Sequence, residues 1–318
     1  MANLESYPIQ SAAQADASRA SEAPRSGSRA RSRSATLARD LVALTKPRIT
    51  LLVMLTSAAG MFVAPGKLST KSLWLSLIGT ALIVGSANAL NMWWERDVDG
   101  KMARTKSRPL PAGRMNADVA LAFGLLLVVV SVPMLFAVNV ATGVLGLIAL
   151  VSYVAVYTPM KRYTWLALLV GAIPGAMPPL MGWTTLTGRL DVGGLLLFGV
   201  LFLWQVPHFA AITLFRRDDY ANAGLKAVSV DRGERGAKHV VVQYTVLLVA
   251  TTLLLVPFRV AGMYYLAVAC VLGAGFLALG IRGLFAGAGA RWAKQLFAYS
   301  ILYLVAMMAA MLLDRVGA

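Results

Sequence analysis

Asn91, Glu95 and Asp99 are spaced by four residues. On an α-helix each such step advances about 400°, so the three oxygen-bearing side chains stack along one face with a drift of about 40° per step. That is a column of hard oxygen donors, and Mg²⁺ takes oxygen ligands and commonly bridges one or two carboxylates to substrate phosphates. The plain alternative is a solvated helix end. Against it stands Asn91, still inside an apolar run, where a polar group is expensive. The next stretch, Lys101-Met-Ala-Arg104-Thr-Lys-Ser-Arg108-Pro-Leu, is densely basic. Acids beside such a run suit a metal together with a diphosphate, because each sign then has a partner. Positive-inside anchoring alone would also place basic residues here.

A second acidic cluster follows a later apolar segment. Asp218, Asp219 and Asn222 bring three oxygen donors within about one helical turn, a candidate second Mg²⁺ site. Asp-Asp at a helix end is common. Two clusters, each ending an apolar segment on the same side, are more specific. His208 follows Pro207 within an apolar segment. An intramembrane ionisable group marks function by default, and His is a frequent metal ligand. It either ligates or orients an iron, or is a buried His bonded to a neighbouring helix. His239 lies among loop charges and is given no role. Cys270, the only cysteine, sits in an apolar run and reads as inert packing. No intrachain disulfide is possible.

These residues need a scaffold, and composition says which. Of 318 residues 58% are hydrophobic and 14% charged, against about 25% charged in a typical soluble domain. Nine apolar segments approach the roughly 20 residues needed to span a bilayer. They run over about 44–64, 73–94, 117–138, 140–158, 164–184, 193–215, 238–257, 261–281 and 293–313. The fold class expected is an all-α membrane protein, a bundle of nine transmembrane helices. The third and fourth segments nearly fuse, with Asn139 or Thr142-Gly143 as the turn. Pro174, Pro178 and Pro179 are expected to distort the fifth, which suggests a cavity wall. Gly283 and Gly287 are a small-residue pair that falls in packing or in a loop.

A net charge of +16 would suggest nucleic acid on a soluble protein. Here its first meaning is topological, and no nucleic-acid partner is expected. With nine spans, 25 Lys and Arg fall on the N-terminal side and 5 on the other. That split predicts a cytoplasmic N-terminus. Residues 1–38 are rich in Ser, Ala and Arg without apolar periodicity and read as a disordered basic tail. Residues 39–318 form the membrane domain. The tail's composition is also faintly like a mitochondrial targeting segment, which leaves a bacterial inner membrane and a mitochondrial inner membrane both open.

Asn-x₃-Glu-x₃-Asp, then Arg104-Thr-x-x-Arg108-Pro-Leu, then a second acidic loop resembles the UbiA-type intramembrane prenyltransferases, over about residues 42–314. Within that superfamily the chain is similar to the heme O synthase branch. The segments that carry the likeness are Leu44-Thr-Lys-Pro-Arg48, Ala89-Leu-Asn-Met-Trp-Trp94, Tyr157-Thr-Pro-Met-Lys161-Arg162, the fifth-segment Gly/Pro string, Trp204-Gln-Val-Pro-His-Phe209 and Asp219-Tyr220.

The resemblance implies nine helices around a central cavity open to lipid, and a farnesyl diphosphate substrate held through Mg²⁺. Heme B is the implied acceptor, and a downstream heme-modifying enzyme a further partner. It maps the first metal motif onto Asn91, Glu95 and Asp99, with Glu95 where many members have Asp. The second falls on Asp219, flanked by Asp218 and Asn222. Arg104, Arg108, Lys161 and Arg162, with Lys101 beside them, are implied diphosphate contacts. His208 is an implied heme contact, and Tyr157 or Trp94 an aromatic face for an allylic cation. The rival readings are a member with another acceptor (an aromatic acid, a quinone precursor or a chlorophyllide) and a transporter whose charged loops only set topology.

Overall fold

The computed structural model describes residues 36–103, 105–285 and 287–314, and every long element in them is a helix. From Leu41 onward the described residues form one compact unit. Most of its long segments are apolar around the full circumference, as helices with protein on one side and lipid on the other must be. They are α1 (Pro47–Val63), α2 (Thr70–Asp99), α3 (Ala117–Val138), α4 (Val140–Met160), α5 (Ala167–Thr187), α6 (Val192–Phe215), α7 (Gly233–Leu254), α8 (Met263–Arg282) and α9 (Ala290–Leu313). Helices α2 to α9 are each long and apolar enough to cross a membrane. A ninth span is reached when α1 is counted with the short helix before it. The basic tail expected over 1–38 lies almost wholly outside the described residues.

Helix starts follow capping chemistry. Ser69 accepts from the Ser72 N–H at α2, Asn116 from Asp118 at α3, and Asp191 from Gly194 at α6. Asn139 is the turn between α3 and α4. It is fully extended, accepts from the Thr142 N–H, and donates to the Thr184 carbonyl at 2.8 Å. Helix α2 runs past the apolar segment's end at 94 to Asp99, as the spacing of Asn91, Glu95 and Asp99 on one helix face requires. Its 30 residues rise about 45 Å, well beyond a hydrocarbon core of about 30 Å. The helix therefore carries Glu95 and Asp99 as its own last turns, not as a loop.

Two apolar cores meet at α5. One joins α2 to α5 through Ile83, Leu135, Leu145, Leu180 and Met181. The other joins α5 to α9 through Trp183, Leu201, Leu248, Phe276 and Tyr303. The three prolines of α5 do not break it; the helix is assigned without interruption from 167 to 187. Its small residues instead let neighbours come close. A Cβ on Gly182 would lie 2.0 Å from the Ser57 carbonyl oxygen of α1, and one on Gly60 of α1 2.2 Å from that of Pro179. The Gly/Pro string is a packing seam for α1, and for α6 where Gly175 admits Gln205. Cys270 does not pack inside: it is exposed on α8. Gly283 lies just past α8, under the Trp292 ring.

Because the Gly182 contact is with backbone, nothing can swing aside, and overpacking of this kind costs about 1–3 kcal/mol or more. Gly182→Ala lowers the melting temperature of the detergent-purified protein, and Gly182→Val lowers it further or prevents recovery of monodisperse protein. A Gly182→Val protein that melts like the wild type would show that the two helices do not meet at this distance.

Candidate active site

The end of α2 holds two buried carboxylates. Glu95 and Asp99 are 3% and 4% exposed, and isolated charges are not stable at that depth. Each has a cation. Lys161 Nζ pairs with Glu95 Oε1, and Arg108 donates to Asp99 Oδ2 at 2.6 Å. Asn91, equally buried, donates from Nδ2 to Glu95 Oε2 at 3.0 Å and to the Thr158 hydroxyl at 3.0 Å. The predicted column thus forms two paired groups on successive turns of α2, Asn91 and Glu95 with Lys161, and Asp99 with Arg108.

Three chain segments deliver its partners. Arg108 comes from the loop between α2 and α3, folded back beneath α2 because buried Thr105 donates its hydroxyl to the Asp99 carbonyl at 2.7 Å. Lys161 comes from the end of α4, where residues 152–157 form a π-helical turn. Pro159 supplies a reason for that turn, since it has no N–H to give and its ring crowds the preceding turn. Tyr153 and Tyr157 stack there at 5.3 Å, and Lys161 lies over the Tyr157 ring. The third segment precedes α1, where Asn88 of α2 donates to the Thr45 carbonyl at 3.4 Å. Lys46 follows in the left-handed region, φ 49°, a conformation that costs a non-glycine residue about 1–2 kcal/mol.

Lys46 is the site residue that sequence reasoning did not single out. It is half-buried and close enough to Arg108, Lys161, Asp99 and Glu95 for each to act on its charge. Its ammonium makes no hydrogen bond or ion pair among the described residues. Three cations therefore face two carboxylates, an excess that suits an anion. The signal in the sequence was slight: one Lys before a Pro at the mouth of an apolar segment.

The other expected residues fall around this group. Lys101 and Arg162 are exposed at its rim, and Arg104 lies outside the described residues. Asp218, Asp219 and Asn222 occupy a short helix, Arg217–Asn222. That stretch is drawn to the end of α2 by an apolar cluster of Tyr220, Ala223 and Leu225 with Val98 and Met102. Lys226 N–H also bonds the Lys161 carbonyl at 3.0 Å. Asp218 and Asn222 are exposed, and Asp219 is paired with Arg216 at 3.4 Å. Among the described residues, no three His, Cys, Asp or Glu side chains come together as a metal cluster. Two carboxylates and an amide oxygen still fit Mg²⁺, which keeps waters and takes its remaining ligands from a substrate's phosphates. Trp94 is turned outward, 42% exposed and edge-on to Trp93.

His208 stands apart, on the face of α6 toward α9. Its ring stacks on Trp204 at 4.5 Å and lies 4.8 Å from Phe297. Its Nδ1 is 2.8 Å from the Ser300 hydroxyl, whose own proton goes to the Phe297 carbonyl at 2.7 Å. Nδ1 must then be the donor, which leaves Nε2 of the neutral ring with its lone pair. Further along, α1, α5, α6 and α9 line an apolar cavity through Thr56, Gly60, Pro179, Leu201, Leu304 and Met307, so the fifth segment is part of a cavity wall as expected.

Comparison with known proteins agrees with this arrangement. Residues 53–309 match the model of the UbiA prenyltransferase family. The chain is 51% identical to the protoheme IX farnesyltransferase of Myxococcus xanthus (strain DK1622) over 88% of its own length and 96% of that protein's. It is 54% identical to the protein of the same name from Sorangium cellulosum (strain So ce56), over 75% and 86%. Among solved structures, a digeranylgeranylglyceryl phosphate synthase superposes with a TM-score of 0.76 at 14% identity, over 87% of this chain and 98% of that one. A UbiA homolog from Archaeoglobus fulgidus bound to GPP and Mg²⁺ superposes with a TM-score of 0.64 at 16% identity, over 86% and 99%. With the family model covering most of the nine-helix bundle and both carboxylates of the α2 column, the chain belongs to the UbiA prenyltransferase family.

Proposed function

We propose that this protein transfers the farnesyl group of farnesyl diphosphate to a vinyl group of heme B, giving heme O, with Mg²⁺ as cofactor. The observation that carries the reading is the buried group of Asn91, Glu95, Asp99, Lys46, Arg108 and Lys161, in which the cations outnumber the carboxylates. Mg²⁺, held by the Asn91, Glu95 and Asp99 oxygens, would supply Lewis-acid stabilisation to the leaving diphosphate. Lys46, Arg108 and Lys161 bind the same diphosphate, and Arg108 and Lys161 are held in place before it arrives by Asp99 and Glu95, so they stabilise charge where it develops. Arg104, Lys101 and Arg162 are further diphosphate contacts in this reading. Asp218, Asp219 and Asn222 are the ligands assigned to a second ion.

The carbon–oxygen bond to the diphosphate breaks with its electron pair leaving on oxygen. The allylic cation so formed is faced by the Tyr157 ring, whose π-cloud already lies beneath the Lys161 ammonium. The terminal carbon of the heme vinyl group forms the new carbon–carbon bond. Water adds to the adjacent carbon and loses a proton, which leaves a hydroxyethylfarnesyl substituent and free diphosphate. His208 is assigned to the heme: Nε2 carries the lone pair that iron requires. The excess of Lys and Arg on one side supports a cytoplasmic N-terminus with the end of α2 on the same side, and the bacterial relatives support the inner membrane of a bacterium.

The test is purified protein in detergent with heme B, farnesyl diphosphate and Mg²⁺, followed by mass analysis of the extracted heme. A farnesylated, hydrated heme that disappears with EDTA and with Glu95→Gln is the expected result. Diphosphate release with unmodified heme would mean another acceptor. Lys46→Met should raise the KM for farnesyl diphosphate about tenfold or more, the scale of one lost hydrogen bond to a charged group. It should leave the melting temperature near that of the wild type; an unchanged KM would remove Lys46 from the diphosphate site. His208→Ala should abolish the shifted Soret band of added heme while Mg²⁺-dependent binding of farnesyl diphosphate persists. A Soret shift that survives the substitution would exclude His208 as the ligand.

A further inference from the structure

Asn91 is the one neutral member of the metal column, and its amide has two unlike ends. Only the oxygen can ligate a cation; the NH₂ end would repel it. Which end faces the site is decided by neighbours, and Thr158 is one of them. Its side chain is wholly buried. It sits immediately after the π-helical turn and donates both its backbone N–H and its hydroxyl to the Tyr153 carbonyl, the hydroxyl at 2.8 Å.

A hydroxyl has one proton and two lone pairs, and a carbonyl oxygen only accepts. The Thr158 proton is therefore committed to Tyr153, and a lone pair faces Asn91. Only the NH₂ end of Asn91 can answer it, and Nδ2 does so at 3.0 Å. The second amide proton goes to Glu95 Oε2, also an obligate acceptor. Both donors of Asn91 are thereby used, and Oδ1 accepts no hydrogen bond among the described residues. The π-helical turn is what makes this possible: it brings Thr158 to the face of α4 that meets α2, within reach of Asn91.

We propose that Thr158 is a positioning residue for the metal site: its hydroxyl, committed to the Tyr153 carbonyl, orients the Asn91 amide so that Oδ1 faces the cation. The inference rests on the reading of the α2 column as a Mg²⁺ site and extends it to a residue that touches neither metal nor substrate. It gives the π-helical turn a purpose as well. A regular turn in its place would rotate Thr158 and Lys161 away from α2 together.

The test uses the full chain in detergent and Mn²⁺ as the probe, with binding read by electron paramagnetic resonance in the presence of inorganic pyrophosphate. Thr158→Val keeps the shape and removes the hydroxyl. Loss of such an outer contact weakens metal affinity about 10–100-fold, and that is the expected shift. Thr158→Ser should bind within about twofold of the wild type, since one hydroxyl contact accounts for the effect. The double variant Thr158→Val with Asn91→Asp should regain much of the lost affinity, because both ends of a carboxylate are oxygen. If Thr158→Val cannot be purified folded, Thr158→Ala serves in its place with the same expected shift. Wild-type Mn²⁺ affinity in Thr158→Val or Thr158→Ala would overturn the proposal. So would weakened binding that Asn91→Asp fails to restore. Glu95→Gln separates the two readings: if it also binds Mn²⁺ as the wild type does, the metal site itself is misassigned. If it loses Mn²⁺ while Thr158→Val keeps it, only the positioning role falls.

Discussion

Two carboxylates buried at the end of a membrane helix constrain much of what surrounds them. Removing a charge from water costs several kcal/mol even after relaxation, and only a close counter-charge with good geometry offsets it. Glu95 and Asp99 therefore need Lys161 and Arg108 at contact distance. Those two residues sit on different segments, so the chain must bring the end of α4 and the α2–α3 loop to one place. Thr105 holds the loop by bonding the Asp99 carbonyl, and the Tyr220–Val98 cluster seats the second acidic stretch against the same helix. The geometry that neutralises the carboxylates is also the geometry that would receive a metal diphosphate. Stability of the apoprotein and readiness for substrate are the same set of contacts.

A second constraint is the scarcity of water inside the bundle. Most buried polar groups must settle their hydrogen bonds with protein, and a hydroxyl whose one proton is committed to a carbonyl can only accept from its next neighbour. Thr158 and Ser300 both give that proton to a carbonyl on their own helix, Tyr153 and Phe297. Each then presents a lone pair to a side chain on another helix, Asn91 in one case and His208 in the other. The consequence is the same twice over. The partner's nitrogen is tied down, and its remaining electron pair, on Oδ1 of Asn91 or Nε2 of His208, is left facing away. Orientation of a potential ligand is set from behind by a residue that does no chemistry.

Much of this was legible in the sequence, for reasons that can be named. Spans are legible because a bilayer demands length and apolarity, and the third segment was placed at 117–138, where α3 lies. The column was legible because a spacing of four has one meaning on a helix. The same spacing carries the helix beyond its apolar stretch to Asp99, where α2 ends, and the pairing partners from elsewhere in the chain are what allow charged residues there. The cavity wall expected of the α5 prolines was legible too, since Pro179 lines the apolar cavity. Pro174, Pro178 and Pro179 each remove one helical bond, yet Gly175 and Gly182 let Gln205 and α1 pack so closely that the helix is held from outside. Cys270 misled because an apolar run in a membrane protein has two apolar sides, and the sequence does not say which one a small residue faces.

What stayed hidden was everything set by backbone conformation. Lys46 enters the site because its residue adopts φ 49° ahead of Pro47, a conformation no composition rule would assign to a lysine. It is tolerated because the surroundings over-determine it: the Thr45 carbonyl is held by Asn88, the Lys46 carbonyl begins α1, and Pro47 forbids the ordinary helical alternative. Lys161 depends likewise on a π-helical turn that Pro159 imposes. Two of the three cations at the site thus sit beside a proline and an unusual turn. In this chain Pro47 and Pro159 act where spans begin and end, by choosing which way a charged side chain leaves the helix.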